Sequence, residues 1–143
     1  MVREIFQENS RIAPVNELNL TCIKALLAFG SDLESVEPKI YDISKHKAFV
    51  RGGISSKTLQ KNSSGKVILF QFDAGQQLSE HTATVPAVMH FLDGEARVKL
   101  GTKIVNAKPG TWIHMEAGAL HAIDATTRTT MLLTLFIHPS QSI

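Results

Sequence analysis

Short alternations of apolar and polar residues dominate the chain from about residue 46 onward, and they predict β-strands. Residues 95–100 alternate most clearly, with alanine, valine and leucine on one side and arginine and lysine on the other. In residues 67–72, Ile68, Phe70 and Phe72 share one face. The pattern predicts eight or nine short strands joined by close turns, and therefore an antiparallel sandwich or barrel.

Turn sequences separate the predicted strands. Asp93-Gly94 predicts a tight hairpin, because both residue types tolerate positive φ. Gly101-Thr102 predicts a second two-residue turn, and Pro109-Gly110 suits a type II turn. The predicted architecture is accordingly all-β.

The first 45 residues follow a different pattern. Apolar residues recur there at helical spacing and predict one short helix over about residues 17–29, with Gly30 positioned to end it. We therefore divide the chain into an N-terminal extension over residues 1–45 and a β-barrel domain over residues 46–143.

Composition narrows the class of protein. The chain has 143 residues, 43% of them hydrophobic and 20% charged, with a net charge of +2, which is typical of one globular domain. The single cysteine, Cys22, excludes an internal disulfide and a cysteine-rich zinc module. No apolar run approaches the ~18 residues of a membrane span, and the first residues lack an apolar signal core, so we expect a cytoplasmic protein without a membrane partner.

The segment between Asp42 and Asp73 contains lysines and an arginine but no acid. Such a segment attracts anionic ligands or partners. Proteins that read nucleic acid interleave aromatic residues with basic ones, and here only Phe49 and Phe70 are available. We therefore expect no nucleic-acid partner and interpret the lysines as keeping edge strands soluble.

Two glycine- and histidine-containing segments carry a family resemblance. Residues 75–94 run GQQLSEHTATVPAVMHFLDG and residues 110–121 run GTWIHMEAGALH. Both resemble the two motifs of the cupin superfamily, with His81 and His121 at histidine positions and glycines at the framework positions. The resemblance covers about residues 48–138. It implies the antiparallel double-stranded β-helix, that is, the jelly-roll or RmlC-like cupin barrel, here in a small single-domain form with a short N-terminal helical extension.

The sequence departs from the motifs at the positions that hold metal. Cupins that bind metal use three histidines and one glutamate, and here Ala83 and Ala87 stand at two of those positions. The resemblance leaves His81 and His121 as the metal ligands, and the usual four-ligand site cannot form. Glu116, which stands where the motif has proline, is a possible source of a third ligand.

Other histidines and acids are weighed by strand parity. His90 should face outward, because Ala87, Met89 and Phe91 share the opposite face of its strand. Glu80 should point away from its neighbour His81. The pattern does not decide which face of its strand His114, beside Trp112, occupies.

A small barrel is either filled by side chains or holds one small ligand. The predicted lining of the site combines two histidines with inward-facing apolar residues: Phe70, Phe72, His81, Met89, Phe91, Trp112, His121 and Met131.

Three hypotheses for function follow. The first is a non-catalytic or weakly catalytic protein that binds a small organic ligand inside the barrel, with a degenerate metal site. The second is a metal-dependent enzyme of the oxygenase or isomerase type, in which His81 and His121 hold a divalent transition metal. The third is a structural or regulatory homodimer, because the long apolar last strand and the isolated apolar helix both require burial.

Overall fold

The computed structural model describes residues 37–138, which form nine β-strands and one short 3₁₀ helix, Ile43–Lys45. The strands are β1 (Ile54–Asn62), β2 (Gly65–Phe72), β3 (Gln77–His81), β4 (Ala87–Asp93), β5 (Ala96–Leu100), β6 (Lys103–Ala107), β7 (Trp112–Met115), β8 (His121–Ala125) and β9 (Thr129–Phe136). The helix predicted over residues 17–29 lies outside the described residues.

The strands form two antiparallel sheets that enclose one core. The larger sheet has the order β1-β2-β9-β4-β7, and the smaller one has the order β3-β8-β5-β6. Consecutive neighbours within each sheet are mostly distant in the sequence, as in a jelly roll. The all-β, double-stranded β-helix fold predicted from the alternation and the motifs is confirmed. Within residues 37–138, no helix combines the length and the apolar character needed to cross a membrane.

The alternation of apolar residues decides which faces are buried. On β4 the inward set is Ala87, Met89 and Phe91, and on β9 it begins with Met131 and continues at every second residue. Phe91 lies opposite Met131 across the β4–β9 ladder. These inward sets from both sheets pack into one hydrophobic core.

The turn at Asp93-Gly94 corrects one prediction. It is not a β-hairpin, because β4 pairs with β7 and β9 while β5 pairs with β6 and β8. The turn instead carries the chain from one sheet to the other. Only Gly94 has positive φ, at 77°. The predicted turn at Gly101-Thr102 does join a hairpin, in which Leu100 lies opposite Lys103.

The two ends of the barrel differ in how they are filled. At one end Phe72, Phe91 and Met131 are at most 1% exposed, and Gly75 N–H donates to the Ala125 carbonyl oxygen at 2.7 Å, next to the β3–β8 pairing. We call this the closed end.

At the other end, Ala87 and Met115 are buried, but several inward-facing residues are only partly buried. They include Leu100, Ala119, Leu133 and Leu135. We call this the open end.

Candidate functional site

Two histidines meet at the open end of the barrel. His81 is the last residue of β3 and His121 is the first residue of β8, and they lie directly opposite each other in the β3–β8 ladder. Their ring centroids are 4.2 Å apart, with an angle of 57° between the ring planes. The structure therefore brings together the two histidines that the motifs singled out.

A register shift in β3 makes this meeting possible. Leu78 lies opposite Ile123 and His81 opposite His121, so three steps along β3 match two steps along β8. With strict alternation, Leu78 and His81 would point to opposite faces. The extra residue lets both face inward, and Glu80 points outward to form an ion pair with Lys99 at 2.8 Å. The prediction that Glu80 points away from His81 is confirmed.

Both imidazole rings are held by the same kind of hydrogen bond. His81 Nδ1 lies 2.7 Å from the carbonyl oxygen of Ser79, and His121 Nδ1 lies 2.9 Å from that of Ala119. A carbonyl oxygen only accepts, so Nδ1 carries the proton in each ring. In the neutral ring Nε2 is then an acceptor with a free lone pair. Each neutral imidazole therefore presents one lone pair, on rings whose centroids are 4.2 Å apart.

The pair reaches from the interior to solvent. His121 is 4% exposed, whereas His81 is classed as exposed. His121 also lies opposite Leu100 on its other side, across the β5–β8 ladder. His81 thus lies at the surface of the open end, and the ring of His121 is buried beside it.

The donor set of this site does not fit a multi-ligand metal centre. Ala87 is fully buried and Ala83 lies in the loop after β3, and neither side chain can coordinate a metal. Within residues 37–138, no cluster of three or more His, Cys, Asp and Glu side chains is placed to hold a metal. Tight transition-metal sites use at least three protein ligands, and the histidine pair supplies two.

The suggestion that Glu116 completes the pair is not supported. Its side chain is 81% exposed, and its nearest ionic neighbour is His114, at 3.9 Å. Because His114 also faces solvent, Glu116 belongs to the outer surface. Glu116 is close to His121 in the sequence, but its side chain points to the outer surface.

The expectation that Trp112 lines the interior is wrong. Trp112 is 60% exposed and stacks on His114, with ring centroids 6.3 Å apart. The inward face of β7 is formed by Ile113 and Met115, which are buried. His90 lies opposite Trp112 on the outer face of the same sheet, as predicted. The apolar residues at 113 and 115 were the signal that fixes the face of this strand.

The other predicted lining residues lie inside the barrel. Met89, Phe91 and Met131 are at most 1% exposed, and Phe70 is partly buried against the same core. They form the packed part of the barrel, and their contact with a ligand stays a prediction. The partly buried residues of the open end were not singled out from the sequence, because partial exposure depends on how the two sheets diverge.

The fold was compared with known proteins. No protein-family model matches the sequence, and no curated protein matches it with statistical significance. Among solved structures, a cupin superfamily protein from Desulfitobacterium hafniense is similar at 24% identity, with a TM-score of 0.58, over 60% of this chain and 79% of that one. An RmlC-like cupin from Desulfovibrio desulfuricans gives 20% identity and a TM-score of 0.65, over 70% of this chain and 97% of that one.

A cupin 2 conserved barrel domain protein from Leptotrichia buccalis is also similar, at 27% identity with a TM-score of 0.62. That match covers 67% of this chain and 47% of the other. The described part of the chain is therefore a small cupin-like domain with the jelly-roll fold.

Proposed function

We propose that this domain binds a small organic molecule at the open end of its barrel, with Nε2 of His81 and Nε2 of His121 as its polar contacts. The observation that carries the proposal is the pair of Nδ1–carbonyl hydrogen bonds, at 2.7 and 2.9 Å. These bonds fix both rings in the orientation and tautomer that leave Nε2 as an acceptor.

The chemistry of the ligand follows from the chemistry of the pair. Two acceptor nitrogens, on rings whose centroids lie 4.2 Å apart, favour a ligand with hydroxyl or N–H donors. The neighbouring leucines of the open end, among them Leu100 and Leu135, supply apolar contact for the rest of the molecule. A mostly apolar site with a few fixed polar groups is typical of small-molecule binding.

A metal-dependent enzyme of the oxygenase or isomerase type is the second candidate. It is favoured by one observation, because histidines that bind metal commonly donate their other ring N–H to a backbone carbonyl, as both rings do here. It is disfavoured by the missing third ligand. The two candidates differ in whether His81 and His121 bind an organic donor or a divalent transition metal.

The experiment compares two double variants of the untagged protein. His81→Ala/His121→Ala removes the pair, and His90→Ala/His114→Ala removes two histidines from the outer face as a matched control. Each protein is analysed for transition metals and screened by ligand-observed NMR against small alcohols, amides and heteroaromatic N–H compounds. We expect compounds that bind the wild type to bind the first variant about thirtyfold more weakly, since two hydrogen bonds are lost at roughly 1 kcal/mol each. The control should bind them as the wild type does.

Two results would contradict the proposal. One is a set of bound compounds whose affinity is the same in both variants. The other is a stoichiometric transition metal in the wild type that is absent from the His81→Ala/His121→Ala protein, which would support the second candidate. The expected homodimer and the cytoplasmic location stay predictions.

A further inference from the structure

A cavity lies outside the barrel, on the outer face of the larger sheet. Its volume is about 370 Å³, and residues from the segment 43–49 form one of its walls. The opposite wall comes from the sheet, with Gln71 on β2, Leu92 on β4 and Thr130 on β9. This volume falls in the range of small-molecule pockets.

A buried glutamine fixes the wall of this cavity. Gln71 is 3% exposed, and its side-chain oxygen accepts the N–H of Ala48 at 2.8 Å. Its side-chain NH₂ donates to the carbonyl oxygen of His46. Ser55 Oγ bonds the carbonyl oxygen of Ala48 at 2.7 Å. The segment is thus attached to the sheet through its backbone and forms one wall of the cavity.

The lining of the cavity is apolar, with charged and hydroxyl groups added. Ile43, Phe49 and Leu92 provide the apolar surface. Lys47 and Asp93 contribute one charge of each sign, and Ser44 and Thr130 contribute hydroxyl groups. Such a cavity suits a small molecule with an apolar body and a single charged group.

Neighbouring cations make the surroundings more positive. Arg128 lies 5.4 Å from the Phe49 ring, and Lys57 Nζ lies 3.1 Å from Nε2 of the lining residue His46. Lys47 and Lys57 belong to the basic, acid-free segment between Asp42 and Asp73. Arg128 and Lys57 already contact other groups. Lys47 lines the cavity, and it is therefore the cation positioned to meet the negative group of a ligand.

We propose that this cavity binds a small aliphatic monocarboxylate. The carboxylate meets Lys47, and the aliphatic part packs between Ile43, Phe49 and Leu92. Asp93 favours a single carboxylate, because a second one would face a like charge. This site is separate from the histidine pair and does not depend on the function proposed for it.

The test uses 4-methylpentanoate as the probe and 4-methylpentanamide as its uncharged counterpart, titrated into ¹⁵N-labelled protein and followed by two-dimensional NMR. We expect the carboxylate to shift the amide signals of Ile43, Lys47, Phe49 and Leu92, and to bind at least fivefold more tightly than the amide. Lys47→Gln should remove this preference and Lys47→Arg should retain it. Lys61→Gln, in the same basic segment but outside the cavity, should leave it unchanged.

Three results would overturn the proposal. The first is equal binding, or no binding at millimolar concentration, of the carboxylate and the amide. The second is tighter binding of the cation 3-methylbutylamine, which would make Asp93 the dominant group. The third is loss of carboxylate binding in the His81→Ala/His121→Ala protein, which would place the probe in the barrel. The first two leave the function proposed for the barrel unaffected.

Discussion

Gly94 is the residue at which the backbone most strictly requires the absence of a side chain. Its φ is +77°, and a Cβ atom there would lie 1.9 Å from the carbonyl oxygen of Arg128. That atom belongs to the backbone of the neighbouring connection and cannot turn aside as a flexible side chain would. The glycine therefore allows the crossing between the sheets and the end of β9 to pack closely.

We predict that Gly94→Ala lowers the free energy of unfolding by about 3 kcal/mol, from the strained φ and the steric overlap together. Gly101→Ala is the matched control, because Gly101 also has positive φ, +58°, but open space around its Cα. Its cost should be about 1 kcal/mol. Urea denaturation of the three proteins measures the difference. Equal midpoints for the two variants would show that the contact with Arg128 does not constrain the turn.

Single residues also show what could be predicted about the site. The motif spacing identified His81 and His121, because both positions follow from glycine framework positions in the sequence. The two rings face each other only because β3 contains a register shift, and no residue between Leu78 and His81 predicts that extra residue. Trp112 was misplaced because a large aromatic residue is commonly buried, whereas strand parity with Ile113 decides its direction.

At the scale of elements, an ion pair and a backbone hydrogen bond, both to Asp73, join three segments around the closed end. Asp73, just after β2, accepts the N–H of Gly52 at 2.8 Å and the Nε–H of Arg128 at 2.9 Å. The Gly52 N–H and then the Arg128 guanidinium favour the charged carboxylate and hold the pKa of Asp73 below its usual value.

The sign of the pH dependence follows from that lowered pKa. Above the unfolded pKa of about 3.9, the Asp73 carboxylate is ionised in both the folded and the unfolded protein, and its contribution to the free energy of unfolding is complete. This contribution is lost as the pH falls through the lower pKa of the folded protein. We predict that Asp73→Asn is less stable than the wild type at about pH 7, and that this difference is smaller at an acidic pH below the unfolded pKa, because the wild-type carboxylate is then being protonated. Thermal unfolding at both pH values measures this. Glu116→Gln, which removes an exposed carboxylate, is the control, and an unchanged difference at low pH would contradict the prediction.

Elements also show the limit of local patterns. Alternation predicted most of the strands, because each buries one face and exposes the other. It did not give their pairing, and the hairpin expected at Asp93-Gly94 was wrong. The chemistry of a turn fixes only its own backbone. Strand β4 instead lies between β7 and β9, where four of its first five residues are buried.

At the scale of the whole molecule, the barrel is asymmetric. Aromatic and methionine side chains fill the closed end, and partly exposed leucines and the histidine pair lie at the open end. Ala83, in the loop after β3, and Ala87, on β4, have side chains that cannot coordinate a metal. The proposed site therefore has two imidazole rings as its polar groups, which suit a ligand with hydrogen-bond donors.

The most direct measurement is the protonation pattern of the two rings, obtained by long-range ¹H–¹⁵N NMR of the imidazole side chains at a pH where their ¹⁵N signals show both rings to be neutral. Signals are assigned by comparison with His81→Ala and His121→Ala. We predict that both rings carry the proton on Nδ1 and leave Nε2 unprotonated, as the bonds to Ser79 and Ala119 require. A proton on Nε2 in either ring would remove one of the two acceptors and contradict the proposed site.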